Sequence, residues 1–194
     1  MANPFSPLLL ACRDLVAAID EPMAHEFVDH LDRAAEMAAA HDPAPCPFPA
    51  LDRGLDLATD TTRPAVEALL AASADMPWRR PDPAVVPPGW ADRAATAELV
   101  GADGVITPHT NERFGILVLD TECDYPDHWH DADELYLVLA GSGRWTVDEA
   151  DRTLAAGDWS RTPSGAHHAI LTTDQPVFTI YGWSGDTSYE SYGF

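Results

Sequence analysis

The chain has 194 residues, which suits one domain with a sizeable core. It carries 32 Asp and Glu against 11 Lys and Arg, and its net charge of −21 argues against nucleic acid or an anionic membrane as a partner. No apolar run approaches the ~18 residues of a membrane span and no basic start marks a secretory signal, so we expect a cytoplasmic protein. The widely spaced Cys12, Cys46 and Cys123 lie outside any Cys-x-x-Cys motif and are predicted to be buried or idle thiols.

The first part of the chain has the apolar spacing of helices. Residues 6–20 form one such pattern, which Glu21-Pro22 interrupts, and a second runs from Pro22 to about residue 41. His25 and His30 fall on different faces of this second helix, so we expect them to be surface or packing residues. A further helix is predicted over residues 62–74.

The proline-rich segment 76–90 contains five prolines, which exclude a regular helix or a central strand. We expect this segment to wrap over the surface of the molecule. Trp78 and Trp90 are predicted to anchor the wrap to the core, with the alternative that one of them reaches over a pocket as a lid.

From about residue 92 the pattern changes to short strands separated by glycine-containing turns, which indicates a sandwich or a small barrel. We therefore expect an N-terminal helical region with the wrap over residues 1–91 and a β-barrel over residues 92–194. The last residues, 184–194, are polar and aromatic without periodicity, and no structure is predicted for them. The predicted strands are 96–100, 114–120, 134–140, 143–148, 152–155, 158–162, 167–172 and 177–183.

Chemistry-bearing residues concentrate between His128 and Gly141. If this stretch is one strand, His128, His130, Glu134 and Tyr136 share a face, because side chains alternate along a strand. Burying two imidazoles, a carboxylate and a phenol without a partner would be costly. A divalent metal is the simplest partner for both His nitrogen and Glu oxygen, so we predict a metal site.

Two motifs resemble the signatures of the cupin superfamily. The first is His-x-His-x3-Glu-x6-Gly, beginning at His128, and the second is Gly-x5-Pro-x-Gly-x2-His, beginning at Gly157. The resemblance implies a mainly β fold, with a C-terminal double-stranded β-helix barrel after the N-terminal helices. It also implies one bound divalent transition metal, for which Fe, Mn, Zn, Ni and Co all suit the N and O donors. The implied ligands are His128, His130, Glu134 and His168.

Three further positions bear on the cupin resemblance. Glu122 and Thr172 stand where the two motifs usually have Gly and Asn, and neither position is a ligand. His167 is an alternative fourth ligand. Neighbouring residues of a strand point to opposite sides, so only one of the pair can face the metal, and the motif spacing favours His168.

A longer pattern, Tyr125-Pro126-x-His128-x-His130-x3-Glu134-x-Tyr136 followed by His168 and Trp183, resembles the Q-type branch of the cupin dimethylsulfoniopropionate (DMSP) lyases. That family cleaves DMSP to dimethyl sulfide and acrylate by β-elimination. The resemblance implies that Tyr136 is the catalytic base and a further metal contact, with His128 the ligand that it would displace. It places Tyr125 in the catalytic set and, with Trp183, in the substrate pocket.

The substrate implied by the resemblance is a small zwitterion whose sulfonium can be held by aromatic faces, for which Trp183, Tyr181 and Tyr125 are available. Two alternatives stay open from the sequence. One is another metal-dependent cupin enzyme, such as a dioxygenase or a sugar isomerase, and the other is a cupin that binds a small molecule without turnover. A monomer and a homodimer are equally compatible with the sequence.

Overall fold

The computed structural model describes residues 3–40, 43–46, 49–82, 86, 90–108 and 110–194. Within these ranges the α-helices all precede the first strand. They are α1 (Ser6–Val16), α2 (Pro22–Glu36), α3 (Gly54–Leu57) and α4 (Arg63–Ala72), with 3-10 segments at Pro49–Arg53, Ser73–Asp75 and Tyr189–Ser191. Every helix is too short or too polar to span a membrane, as far as the described residues show.

The three longer helices match the predicted ones, and each has a proline in its first turn. Helix α2 ends at Glu36 rather than near residue 41, which lies outside the described residues. Met37 is already extended, and the Ala40 backbone N–H donates to the carbonyl of Val105 at 2.6 Å. This tertiary hydrogen bond outweighs the helix propensity of the alanines that follow α2. Helix α3 was not predicted, because one turn gives too little periodicity to detect.

The rest of the chain forms antiparallel strands in the order β1-β2-β8-β4-β7-β3, with β5 and β6 paired to β4. The first part of β4, residues 132–141, pairs with β8 and β6, whereas the remainder pairs with β5 and β7. One strand thus joins the two halves of a curled sheet, and the predicted cupin barrel is confirmed. The strands are β1 (Ala94–Val100), β2 (Arg113–Leu119), β3 (Asp124–His128), β4 (Ala132–Val147), β5 (Ala150–Ala155), β6 (Trp159–Thr162), β7 (His168–Leu171) and β8 (Val177–Gly185).

The prediction that His128 begins the same strand as Glu134 is wrong. His128 ends β3, His130 lies in the connection, and β4 begins only at Ala132. Strand β3 pairs with β7, whereas this part of β4 pairs with β8. The connection between the two strands, rather than simple alternation along one strand, brings the polar side chains together.

The predicted strands 134–140 and 143–148 form a single strand. The sequence predicts a glycine turn at Gly141 between these two strands, and the φ of Gly141 is indeed left-handed at +77°. A Cβ atom there would collide with the carbonyl oxygen of Pro176. The glycine lets β4 bend from one half of the barrel to the other without ending.

The helices cover the outer face of the sheet. Leu135, Leu137 and Leu139 of β4 lie in a core shared with α1, α2 and α4, while Tyr136 belongs to a second core inside the barrel. Both faces of β4 are therefore buried. Because helices and strands share the outer core, the division into regions 1–91 and 92–194 stays a prediction.

Candidate metal centre and catalytic cavity

Three histidines from different parts of the barrel meet in its interior. His128 ends β3, His130 lies in the connection to β4, and His168 begins β7. Each side chain is about 1% exposed, and one ring nitrogen of each lies within 4.8 Å of those of the other two. The barrel thus brings three imidazoles together from positions up to 40 residues apart in the sequence.

Backbone carbonyls fix the orientation of all three rings. Nδ1 of His128 lies 2.9 Å from the carbonyl of Pro126, and Nδ1 of His130 and His168 lie 3.1 Å from those of Ala132 and Ala166. A carbonyl only accepts, so each Nδ1 must donate and each Nε2 carries a lone pair. Burial, and next the neighbouring His168, lower the pKa of His128 to about 3, which keeps that ring neutral.

Glu134 completes the cluster from β4. Its Oε2 lies 3.2 Å from Nε2 of His130 and 3.1 Å from Nε2 of His168. Its Oε1 accepts a hydrogen bond from the indole N–H of Trp183 at 2.7 Å. Burial would raise the pKa of Glu134, but the neighbouring His130 and His168 outweigh it and lower the pKa below its usual range. The carboxylate is therefore ionised.

The donor set fits a divalent metal. Nε2 of His128 is buried without a hydrogen-bond partner among the described residues, and Nε2 of His168 faces another acceptor, the Glu134 carboxylate oxygen, at 3.1 Å. If the three Nε2 atoms carry lone pairs, as the carbonyl contacts require, they and the carboxylate oxygen present only acceptors to one another. A cation satisfies such a set, and the nitrogen and oxygen donors are compatible with several divalent metals.

His167, the alternative fourth ligand, lies at the surface. Its side chain is 55% exposed and its Nδ1 lies 2.7 Å from the carboxylate of Asp127. His168, the next residue, is buried in the histidine cluster. The two neighbours thus have different surroundings at the point where β7 begins, and only His168 faces the cluster.

A cavity of about 320 Å³ opens beside the cluster. Tyr136 lines it, is 2% exposed, and its ring centre lies 6.5 Å from that of His168. Burial, and next the charge of Glu134, raise the pKa of the Tyr136 phenol well above its usual range. Tyr136 thus lies next to the cluster and lines the same space, and its role as the base stays a prediction.

The three aromatic residues predicted to bind substrate also line this cavity. Tyr125 stacks on His128 with ring centres 4.5 Å apart. Trp183 lies 4.2 Å from the ring of His130, between centres. Tyr181 faces Tyr136 across the pairing of β8 with β4. The structure thus brings the predicted substrate-binding residues together around one space.

Comparison with known proteins identifies the family. The family model for dimethylsulfoniopropionate lyase matches residues 21–179, which is most of the chain. The chain belongs to the DMSP lyase family. The predicted family and the predicted enzyme class, a lyase, are therefore confirmed.

Individual DMSP lyases are similar to this chain over most of its length. The lyase DddQ of Ruegeria pomeroyi is 30% identical over 133 residues, which span 68% of this chain and 66% of that protein. The crystal structure of DddQ from Ruegeria pomeroyi DSS-3 has a TM-score of 0.76 and 27% identity, covering 95% of this chain and 93% of its own. A structure from work on the DMSP lyases RdDddP and RnDddQII has a TM-score of 0.79 and 26% identity, covering 98% and 97%.

The two departures from the cupin pattern, Glu122 and Thr172, have different structural roles in this DMSP lyase family member. Glu122 has a φ of +53°, in the left-handed region where glycine is usual. Thr172 is buried, and its hydroxyl accepts a hydrogen bond from the backbone N–H of Cys123 at 2.8 Å. Neither residue belongs to the histidine cluster.

The two tryptophans of the proline-rich segment have different surroundings. Trp78 is buried in the outer core, and its indole N–H donates to the carbonyl of Ser73 at 2.9 Å, as expected of an anchor. Trp90 lines the cavity and stacks on Tyr125 with ring centres 4.4 Å apart. Trp90 therefore lines the cavity, and the alternative of a lid stays a prediction.

The cavity also contains residues that the sequence did not predict. Tyr189, Tyr192 and Phe194 from the end of the chain line the cavity. Their aromatic composition was visible, but without periodicity nothing in the sequence placed them. A buried ion pair, Arg113 Nη1 to Glu98 Oε2 at 2.8 Å, was also missed, because residues from different strands give no local signal.

Proposed function

We propose that this protein cleaves DMSP to dimethyl sulfide and acrylate by a metal-dependent β-elimination. Membership of the DMSP lyase family supports the reaction. The observation that carries it is the convergence of three imidazole Nε2 atoms and the Glu134 carboxylate beside Tyr136, in one cavity. The substrate class is a small zwitterion with a carboxylate at one end and a dialkyl sulfonium at the other.

In this proposal four side chains hold the metal. They are His128, His130, Glu134 and His168, and Tyr136 stays a candidate for a further contact in place of His128. A divalent cation there would supply positive charge that stabilises both the phenolate of Tyr136 and the charge that develops on the substrate carboxylate. Trp183 positions Glu134 through its hydrogen bond to Oε1.

Tyr136 acts as the general base in this proposal. It takes the proton from the carbon next to the carboxylate, and the C–H electron pair becomes the new carbon–carbon double bond. The bond from the neighbouring carbon to sulfur breaks, and its electrons leave with sulfur. Dimethyl sulfide departs as a neutral molecule, so the site needs no strong general acid.

Aromatic side chains orient the sulfonium end of the substrate. Tyr125, Trp183 and Tyr181 line the same cavity as Tyr136. A cation over a ring face gains about 0.5 to 2 kcal/mol, and because Trp90 and His128 already cover the two faces of Tyr125, that contribution comes from Trp183 and Tyr181. These rings are buried, and the exclusion of water strengthens that attraction.

The test is product formation without oxygen. Purified protein is loaded in turn with Fe(II), Mn(II), Zn(II), Ni(II) or Co(II) and incubated anaerobically with DMSP, and the solution is followed by proton NMR. The proposal expects acrylate and dimethyl sulfide in a 1:1 ratio with at least one metal. If no metal gives acrylate, or if products appear only with oxygen, the proposed reaction is wrong.

A further inference from the structure

Two segments that the sequence left without a defined role meet at the mouth of the cavity. Trp90 comes from the proline-rich segment, and Tyr192 and Phe194 follow β8 at the other end of the chain. Phe194 lies 5.8 Å from Trp90 between ring centres at 63°, and 5.3 Å from Tyr192 at 68°. Both are edge-to-face contacts, the arrangement that aromatic pairs prefer.

The same rings extend over the histidine cluster. Tyr125 is stacked between Trp90 at 4.4 Å and His128 at 4.5 Å, each with an interplanar angle of 12°. Tyr192 also stacks on His128, with centres 5.1 Å apart, and its hydroxyl lies 2.9 Å from that of Tyr125. We call Trp90, Tyr125, Tyr192 and Phe194 the aromatic cover.

The segment that carries Tyr192 is fixed to the barrel. Gly193 exchanges two backbone hydrogen bonds of 3.0 Å with Trp129, and a Cβ at Gly193 would lie 2.7 Å from the indole nitrogen. The Asp131 N–H donates to the Ser191 hydroxyl at 3.1 Å. The position of Tyr192 is therefore set before a ligand arrives, which lowers the entropic cost of binding.

The carboxylates that line the cavity already have partners within the described structure. Glu134 contacts the histidine cluster and Trp183, and Glu98 pairs with Arg113 at 2.8 Å. Asp103 lies 3.3 Å from the same Arg113 guanidinium. A cationic group that enters the cavity therefore meets aromatic rings rather than a free carboxylate.

We infer that Trp90 and Tyr192 are specificity-determining residues that recognise the sulfonium of the substrate through their ring faces. The inference rests on the proposed function, since it assigns the cationic end of that substrate to the aromatic cover. It adds two residues, one before the first strand and one after the last, to the aromatic set expected from the sequence. Between ligands of the same shape, Trp90 and Tyr192 should favour the one whose bulky end carries a positive charge.

The test compares two ligands of nearly identical shape. One is 3-(trimethylammonio)propionate, which is cationic at the bulky end, and the other is 4,4-dimethylpentanoate, in which carbon replaces the charged nitrogen. Their affinities for the full-length, metal-loaded protein are measured by calorimetry. Wild type is expected to bind 3-(trimethylammonio)propionate about 5- to 30-fold more tightly than 4,4-dimethylpentanoate, whose bulky end is uncharged.

Variants separate ring recognition from the overall acidity of the protein. Tyr192→Leu and Trp90→Leu leave the net charge unchanged and should each lower the affinity ratio about 2- to 5-fold. Tyr192→Phe keeps the ring and loses only the hydroxyl, so it should keep the wild-type ratio. Thermal unfolding of each variant identifies any that fail to fold.

Three results would overturn the inference. They are a wild-type ratio near one, an absence of any binding of the cationic ligand, and folded Leu variants that both keep the wild-type ratio. The affinity ratio of the wild-type protein is measured without any variant. It therefore tests the inference even if a Leu variant unfolds. A cation preference that is lost in the Leu variants, in a protein that releases no dimethyl sulfide, would uphold the inference and refute the proposed reaction.

Discussion

At the level of single residues, the protonation of the histidines, Glu134 and Tyr136 determines what the site can bind and catalyse. The backbone carbonyls behind the three histidines require Nδ1 to donate, so each Nε2 is free to bind a metal. Glu134 is ionised and held on its far side by Trp183. Tyr136 is the one phenol that follows a proposed ligand at i+2 on the same strand, which makes it the candidate base.

Tyr136→Phe should retain the fold and the metal but lower kcat about 10²- to 10⁴-fold, the usual contribution of a general base. Tyr181→Phe is the matched control, because its ring stays in the cavity and only a hydroxyl is lost. Steady-state rates of dimethyl sulfide release and metal content by mass spectrometry give the comparison. Equal rates for Tyr136→Phe and wild type would show that another group removes the proton.

Trp183→Phe should weaken metal binding about 10- to 100-fold, because it removes the hydrogen bond that orients Glu134. Trp159→Phe is the control, since Trp159 packs against the outer core and not in the cavity. Titration against a competing chelator measures both affinities. If the two variants bind metal equally well, the indole hydrogen bond has no role in positioning the carboxylate.

At the scale of elements, the connections between strands build the site. Strand β3 ends at His128, the connection carries His130, and β4 supplies Glu134, so three elements contribute. Strands β1 and β2 are in turn joined to the end of the chain: Arg113 pairs with Glu98 and its Nε donates to the carbonyl of Thr187 at 2.8 Å. Arg113 thus holds the segment after β8, which carries Tyr192 and Phe194.

Arg113→Gln should lower the free energy of unfolding by about 3 to 5 kcal/mol, because it leaves Glu98 buried and unpaired. Both side chains of the pair are only 7% exposed. Arg144→Gln breaks a pair with Asp151 whose side chains are 56% and 48% exposed, and it should cost under about 1 kcal/mol. Urea denaturation measures the two changes, and equal losses would mean that burial does not set the strength of the Arg113 pair.

Local patterns in the sequence were sufficient for the helices, the short strands and the spacing of the motif residues. They were insufficient wherever a distant contact decides the structure. Gly141 looks like a turn from its neighbours alone, yet Pro176 and the partner strands make it a bend within β4. The aromatic cover could not be predicted, because Trp90 and Phe194 lie at opposite ends of the barrel region and meet only in the fold.

At the scale of the whole molecule, the helical layer and the barrel depend on one another. Phe27 of α2 packs directly on β8, where a Cβ at Gly182 would lie 2.6 Å from its ring. The outer core contains residues of both regions. The barrel that holds the cavity is therefore stabilised from outside by the N-terminal helices.

Gly182→Ala should lower the free energy of unfolding by about 1 to 3 kcal/mol through overpacking against Phe27. Adding Phe27→Leu removes the clash, so the double variant should be more stable than the sum of the two single effects predicts. A double-mutant cycle in urea measures this coupling. If the two effects on the free energy of unfolding are strictly additive, α2 shifts to accommodate the added methyl group. The two layers are then not tightly packed.

The central claim is that the cluster of His128, His130, Glu134 and His168 binds the metal on which DMSP cleavage depends. The most direct measurement is headspace dimethyl sulfide from one protein sample before chelation, after chelation and after metal is restored. We expect dimethyl sulfide release before chelation, loss of nearly all release after chelation, and recovery of release when metal is restored. The metal content of the protein should change in parallel with its activity. Undiminished release from protein shown to be metal-free would contradict the central claim.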